Sequence, residues 1–134
     1  MTLALDTSAL LARYVEGPER DVVLAVMAAD ADWCACALAL TEALMLVERF
    51  GVDHLAAADV RSALRDDWQR MAVVPVDDRC LDLAAELGRS HPIRTVDALH
   101  LAAAERLPRP TTYCTFDPNQ IPVALALGFE VVST

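Results

Sequence analysis

Short apolar runs alternate along this chain with longer stretches in which apolar residues recur every third or fourth position. The first pattern suits strands buried on both faces, and the second suits helices packed along one side. Leu3-Ala4-Leu5 reads as a first buried strand, followed by a helix from Ser8 to Val15 that Gly17-Pro18 breaks. A second helix runs on to Ala29, and Trp33 to Ala37 predicts strand two. Thr41 opens a helix that ends at Phe50-Gly51, where glycine suits the closing turn. Over residues 53–70, Ala57, Val60, Leu64, Trp68 and the following Met71 share one helical face, a stripe that reads as core. Val73 to Val76 predicts strand three, and Arg79 to Arg89 the next helix. Thr95 to Leu107 is apolar nearly all round, which predicts a buried helix. Thr111 to Phe116 gives strand four, Asp117-Pro118 opens a short helix closed by Gly128, and Phe129 to Val132 is a last strand.

Strands alternating with helices imply right-handed crossovers and helices on both faces of a parallel sheet. The expected fold class is therefore α/β, three-layer α/β/α with a central parallel sheet. The chain has 134 residues, the size of one domain spanning 1–134. With 55% hydrophobic residues, it carries enough apolar material for a real core. No apolar run approaches the ~20 residues that span a bilayer. The start MTLALDTSAL lacks a basic segment and places a carboxylate early, unlike a targeting peptide. A soluble, cytoplasmic protein is expected.

Charge changes the picture more than composition does. The net charge is −9, and all 11 basic residues are arginines, with no lysine anywhere. That is the wrong sign for a general nucleic-acid binder, so bound RNA would have to meet a local arginine patch or a cation. Cys34, Cys36, Cys80 and Cys114 lack the spacing of a zinc site and read as buried reduced thiols.

The predicted layout brings four acids to one rim. In an open parallel sheet, ligands bind beyond the carboxyl ends of the strands. Asp6 ends strand one, Glu42 lies in the first turn after strand two, and Asp97 lies in the first turn of the helix descending before strand four. Asp117 follows strand four and returns to the same edge. Each position also suits a helix end: Asp6 and Asp117 as N-caps, the latter with proline at N1, and Glu42 and Asp97 at the positive end of a helix dipole. Capping, however, requires no convergence, and four crowded carboxylates repel one another without a cation. Hard oxygen ligands suit Mg²⁺ or Mn²⁺, which activates water and stabilises charge in phosphoryl transfer.

The strings LDTSAL (Leu5 to Leu10), TEAL (Thr41 to Leu44), TVDALHLAAA (Thr95 to Ala104) and TFDPNQIPVALALGFEVV (Thr115 to Val132) resemble PIN-domain ribonucleases. They look most like the VapC-type toxins of bacterial toxin–antitoxin pairs. The resemblance implies an Mg²⁺- or Mn²⁺-dependent endoribonuclease that forms a homodimer and is inhibited by a cognate antitoxin. Residue by residue, Asp6 resembles the first-strand metal ligand, Glu42 the acid of the third helix, Asp97 the acid opening the DALHLAAA helix, and Asp117 the acid of the TFD turn. Thr115 resembles a hydrogen-bonding support. Asn119 stands where some relatives place a further acid.

Other polar residues carry weaker signals. His100 lies one turn after Asp97, within reach of the pocket edge, although a packed histidine is the plainer reading. His54 and His91 sit at element ends and are expected in solvent. Arg13, Arg79 and Arg94 are candidate phosphate contacts, and Thr7 and Ser8 serve the helix start or stand near the metal. A receiver domain would need a site lysine, and a nucleotide-binding module a glycine-rich loop. The rival that survives is a catalytically silent interaction domain whose acidic edge binds a basic partner.

Overall fold

A computed structural model describes the backbone of residues 1–50 and 54–134, and the side chains of residues 1–49 and 56–134. Five parallel strands form one sheet in the order β3-β2-β1-β4-β5. They are β1 (Thr2–Leu5), β2 (Asp32–Cys36), β3 (Ala72–Val74), β4 (Thr111–Cys114) and β5 (Glu130–Val132). Between β1 and β2 run α1 (Thr7–Ala12) and α2 (Pro18–Ala29), and between β2 and β3 run α3 (Leu38–Leu46), a 3-10 turn (Val47–Phe50) and α4 (His54–Trp68). The chain then crosses the sheet through α5 (Asp78–Ser90) and α6 (Thr95–Glu105) to reach β4, and α7 (Ile121–Ala126) leads into β5.

Two cores lie on opposite faces of the sheet. Alternation along each strand divides them: Leu3 and Leu5 point to one side and Ala4 to the other. On the first face, Leu10, Val23, Met27, Ala39, Ala43 and Leu64 pack from α1 to α4. On the second, Cys80, Leu87, Leu101 and Ala102 pack with Tyr113, from α5, α6 and β4. The residue 53–70 stripe does form core: Ala57 and Leu64 are fully buried, and Val60 and Trp68 pack against them. In α6, every residue from Asp97 to Ala104 is buried. All four cysteines are buried and free.

The hand-over between halves positions the functional edge. From β1 the chain first builds outward to β2 and β3, then returns and builds outward on the other side through β4 and β5. Connections therefore leave β1 and β4 in opposite directions, opening a crevice at their carboxyl ends. Gly128, at φ +86, closes α7, with Phe129 N–H returning to the Ala124 carbonyl at 3.2 Å.

Two expectations are corrected. The third helix begins at Leu38 rather than Thr41, because Ala37 already holds helical angles directly off β2. Glu42 thus sits one turn in, away from the helix's positive end. Asp117 does not cap α7 with Pro118 at N1: residues 118–120 form a turn, Gln120 stands at the N-cap position, and the proline near the helix start is Pro122. The Asp117 carboxylate instead accepts from Asn119 N–H at 2.9 Å, a local turn that competes with a helix start. The Gly51 stop and the solvated reading of His54 lie outside the residues described.

Candidate active site

Asp6, Glu42, Asp97 and Asp117 all line one cleft of about 350 Å³. It lies beyond the carboxyl ends of β1 and β4, which Asp6 and Asp117 follow in sequence, and Leu11, Ala12, Val15 and Leu46 form an apolar wall on the α1 and α3 side. Each acid comes from a different segment, so the sheet topology alone brings them together.

Asp6 has two jobs in the geometry. It is the N-cap of α1, its Oδ1 accepting from Ala9 N–H at 2.9 Å and from the Ser8 hydroxyl at 2.7 Å. Its Oδ2 accepts from the fully buried Thr115 hydroxyl at 2.7 Å. Thr115 Oγ1 in turn accepts from Asp117 N–H at 3.1 Å, and Ser8 Oγ from Phe116 N–H at 2.9 Å. The loop after β4 is thereby fastened to the start of α1. Burial still dominates Asp6 and raises its pKa above the ordinary carboxylate value, against these hydrogen bonds.

Glu42 is held from behind. Its Oε1 accepts from the Thr7 hydroxyl at 2.6 Å and lies 2.6 Å from His100 Nε2, which is itself 3.1 Å from Thr7 Oγ1. Burial pushes the Glu42 carboxyl up, but the bonds from His100 and Thr7 outweigh it, and its pKa is lowered. His100 is thus both the packed helix residue and a partner of the site. Its other ring nitrogen, Nδ1, is buried without a hydrogen bond.

Asp97 is 7% exposed. Its Oδ1 accepts from Gln120 Nε2 at 3.0 Å, while its Oδ2 is buried with no hydrogen-bond partner. The nearest cation is Arg94, whose Nε lies 3.8 Å from Oδ2 and whose side chain is 84% exposed. Burial first, and then the charge of Asp117, raise the Asp97 pKa. Behind Gln120 stands Tyr113, whose hydroxyl donates to Gln120 Oε1 at 2.5 Å. Burial, followed by the charges of Asp6 and Asp97, holds that phenol well above its usual pKa, so it remains a donor.

Gln120, Tyr113 and the Glu42 contact of His100 were not read from the sequence. An i, i+3 spacing from Asp117 to Gln120 was visible, but nothing marked the glutamine as turned inward toward α6. Of the arginines, Arg94 lines the cleft, whereas Arg13 is engaged with Asp67 at 2.9 Å and Arg79 is exposed outside it.

As placed, and among the described residues, no three acid, histidine or cysteine side chains close around one point. The donor set nonetheless fits a divalent cation. It consists of carboxylate oxygens, burial raises the pKa of both Asp6 and Asp97 so that a positive charge between them would offset what burial costs, and Asp97 Oδ2 is a stranded buried acceptor.

A parallel α/β sheet with an acidic crevice at its switch point places this chain among α/β domains that bind ligands beyond the carboxyl ends of their strands, and sequence comparison names the family. A PIN-domain family model matches residues 3–132, and the chain belongs to the PIN-domain family. It is 34% identical over 130 residues to Ribonuclease VapC46 of Mycobacterium tuberculosis, covering 96% of this chain and 95% of that protein. Among solved structures, it resembles Mycobacterium tuberculosis VapC20, described as a Sarcin-Ricin loop cleaving toxin, with a TM-score of 0.73 and 21% identity over 97% of this chain and 98% of that one. It also resembles a chain in a toxin-antitoxin complex from Klebsiella pneumoniae, with a TM-score of 0.72 and 12% identity over 98% of this chain and 96% of that one. At these identities the structural matches speak for the fold.

Proposed function

We propose that this chain is a metal-dependent endoribonuclease, the toxin of a toxin–antitoxin pair, with Asp6, Glu42, Asp97 and Asp117 as its catalytic carboxylates. The observation that carries the reading is the meeting of these four acids from four segments in one crevice, in a chain aligned almost end to end with a ribonuclease. The same four residues would hold Mg²⁺ or Mn²⁺, which supplies an activated water and offsets charge on the scissile phosphate. The chain's own residues prepare that chemistry. Thr115 and Ser8 hold Asp6, Thr7 and His100 hold Glu42, and the apolar wall limits water on one side of the cleft. Arg94, at the rim, offers a positive charge to the RNA backbone on a chain whose net charge is −9.

The same acidity shapes the partner. A cognate antitoxin presenting Arg or Lys to the cleft would be drawn to it, and this association should weaken steeply as salt rises. The chain would work in the cytoplasm as a homodimer, one domain per copy, and no helix among the described residues is long and apolar enough to cross a membrane.

One observation favours a second reading, a silent domain whose acids only bind a basic segment: the acids do not close on a single point. One experiment separates the two. Purified protein with Mn²⁺ should cleave total RNA, EDTA should stop it, and Asp6→Asn should abolish it. Cleavage that survives EDTA would overturn the metal requirement, and no cleavage by the wild type with either cation would favour the silent domain.

A further inference from the structure

We infer that Gln120 is the positioning residue of Asp97, and that it is held in its working orientation by Tyr113. The inference deepens the proposed metal-dependent reading and rests on it.

A buried glutamine can present either end of its amide, and here the two ends meet opposite demands. Tyr113 donates to Oε1 at 2.5 Å, and Nε2 donates to Asp97 Oδ1 at 3.0 Å. A flipped amide would set its oxygen against the Asp97 carboxylate, two acceptors at hydrogen-bond distance with no proton between them. The pieces that hold this arrangement are themselves fixed. Tyr113 is 1% exposed on β4 and stacks on Phe129, with ring centroids 5.6 Å apart. Gln120 is 2% exposed, its N–H bonded to the Asp117 carbonyl at 3.1 Å and its carbonyl receiving Ala124 N–H at 2.9 Å.

Gln120 therefore ties together two acids of the cleft, Asp117 through its backbone and Asp97 through its side chain. The consequence falls on the other Asp97 oxygen. The Gln120 bond to Oδ1 restrains rotation of the carboxylate, and Oδ2 is the oxygen left without a hydrogen bond on a residue that lines the cleft. Outer partners of this kind orient a ligand without touching what it binds. A purely structural role would require only that the buried amide be satisfied, and would leave cation affinity untouched.

The test uses the full-length protein with Gln120→Met, which keeps the side-chain volume and deletes the amide, and with Tyr113→Phe, which deletes only the hydroxyl behind it. Mn²⁺ affinity is measured by calorimetry without RNA, and kcat and KM are measured on a defined RNA with Mn²⁺. In Gln120→Met, Mn²⁺ binding should weaken roughly 10-fold or more, with kcat falling and KM for RNA nearly unchanged. Tyr113→Phe should shift both in the same direction by a smaller factor. Wild-type Mn²⁺ affinity and kcat in a folded Gln120→Met protein would overturn the inference, as would a change confined to KM. Should Gln120→Met fail to fold, Tyr113→Phe decides: a smaller loss of Mn²⁺ affinity supports the inference, and an unchanged affinity overturns it. A wild-type protein that neither binds Mn²⁺ nor cuts RNA would instead be a failure of the proposed function.

Discussion

Asp97→Asn separates a metal site from a structural carboxylate, because the two predict opposite signs. The substitution is nearly isosteric, and the asparagine Oδ1 can keep its bond from Gln120. What disappears is a charge that burial and Asp117 both disfavour, on an oxygen that has no hydrogen bond. The amide nitrogen that takes the place of Oδ2 is unpartnered too, but it is neutral, and exchanging a stranded buried charge for a stranded neutral group is worth about 1–3 kcal/mol. Against this stand a long ion pair to a largely exposed Arg94, worth ~0–1 kcal/mol, and a first-turn dipole interaction of ~0.3–1 kcal/mol. The balance is a metal-free mutant more stable by about 1 kcal/mol, a melting temperature roughly 3–5 °C higher for a domain of this size. Mn²⁺ at about 100 times Kd should stabilise the wild type by about 2.7 kcal/mol, and Asp97→Asn far less. The order of melting temperatures in EDTA should therefore reverse in Mn²⁺. The assay is a thermal melt of both proteins in each buffer. A mutant that melts below wild type in EDTA, with Mn²⁺ moving both equally, would mean that Asp97 stabilises the fold and holds no cation.

Acidity supplies a second check. The carboxyls of Asp6 and Asp97 have raised pKa values, so their stabilising contribution is complete below the ordinary carboxylate value and is lost as pH rises through the folded values. In EDTA the melting temperature should climb as pH falls through the raised values of Asp6 and Asp97 toward the ordinary carboxylate range, and a flat or inverted profile would refute the sign. Glu42, whose pKa is lowered, loses its contribution only as pH falls through its own depressed value, so the gain should turn over in stronger acid. Thr115→Val strands Asp6 Oδ2 and Asp117 N–H together, and should destabilise by roughly 1–3 kcal/mol in urea unfolding. A change within about 0.5 kcal/mol, the range of an ordinary surface substitution, would show that the loop is fastened elsewhere.

Local periodicity determined much of this protein before any coordinates. Strand and helix order followed from whether apolar residues came in short runs or every third to fourth position, and both packed faces of the sheet follow from that order. Asp6, Asp97 and Asp117 were legible because a carboxylate next to a strand end or at a helix start is a local event. The start of α3 was not, since Leu38, Ala39 and Leu40 extend the helix directly from β2 without a capping side chain, and propensity gives no boundary there. Nor was the turn at Asp117, where a carboxylate bonding two residues ahead and a helix cap look alike in sequence. Thr115 could be read as a hydrogen-bonding support, but which partner meets which acid belongs to tertiary structure alone. Thr115 meets Asp6 across 109 positions, His100 meets Glu42 across 58, and Gln120 meets Asp97 across 23. Those contacts exist because the return through α5 and α6 lays β4 beside β1, and no residue's neighbours in sequence carry the information of which side chains that crossing brings face to face.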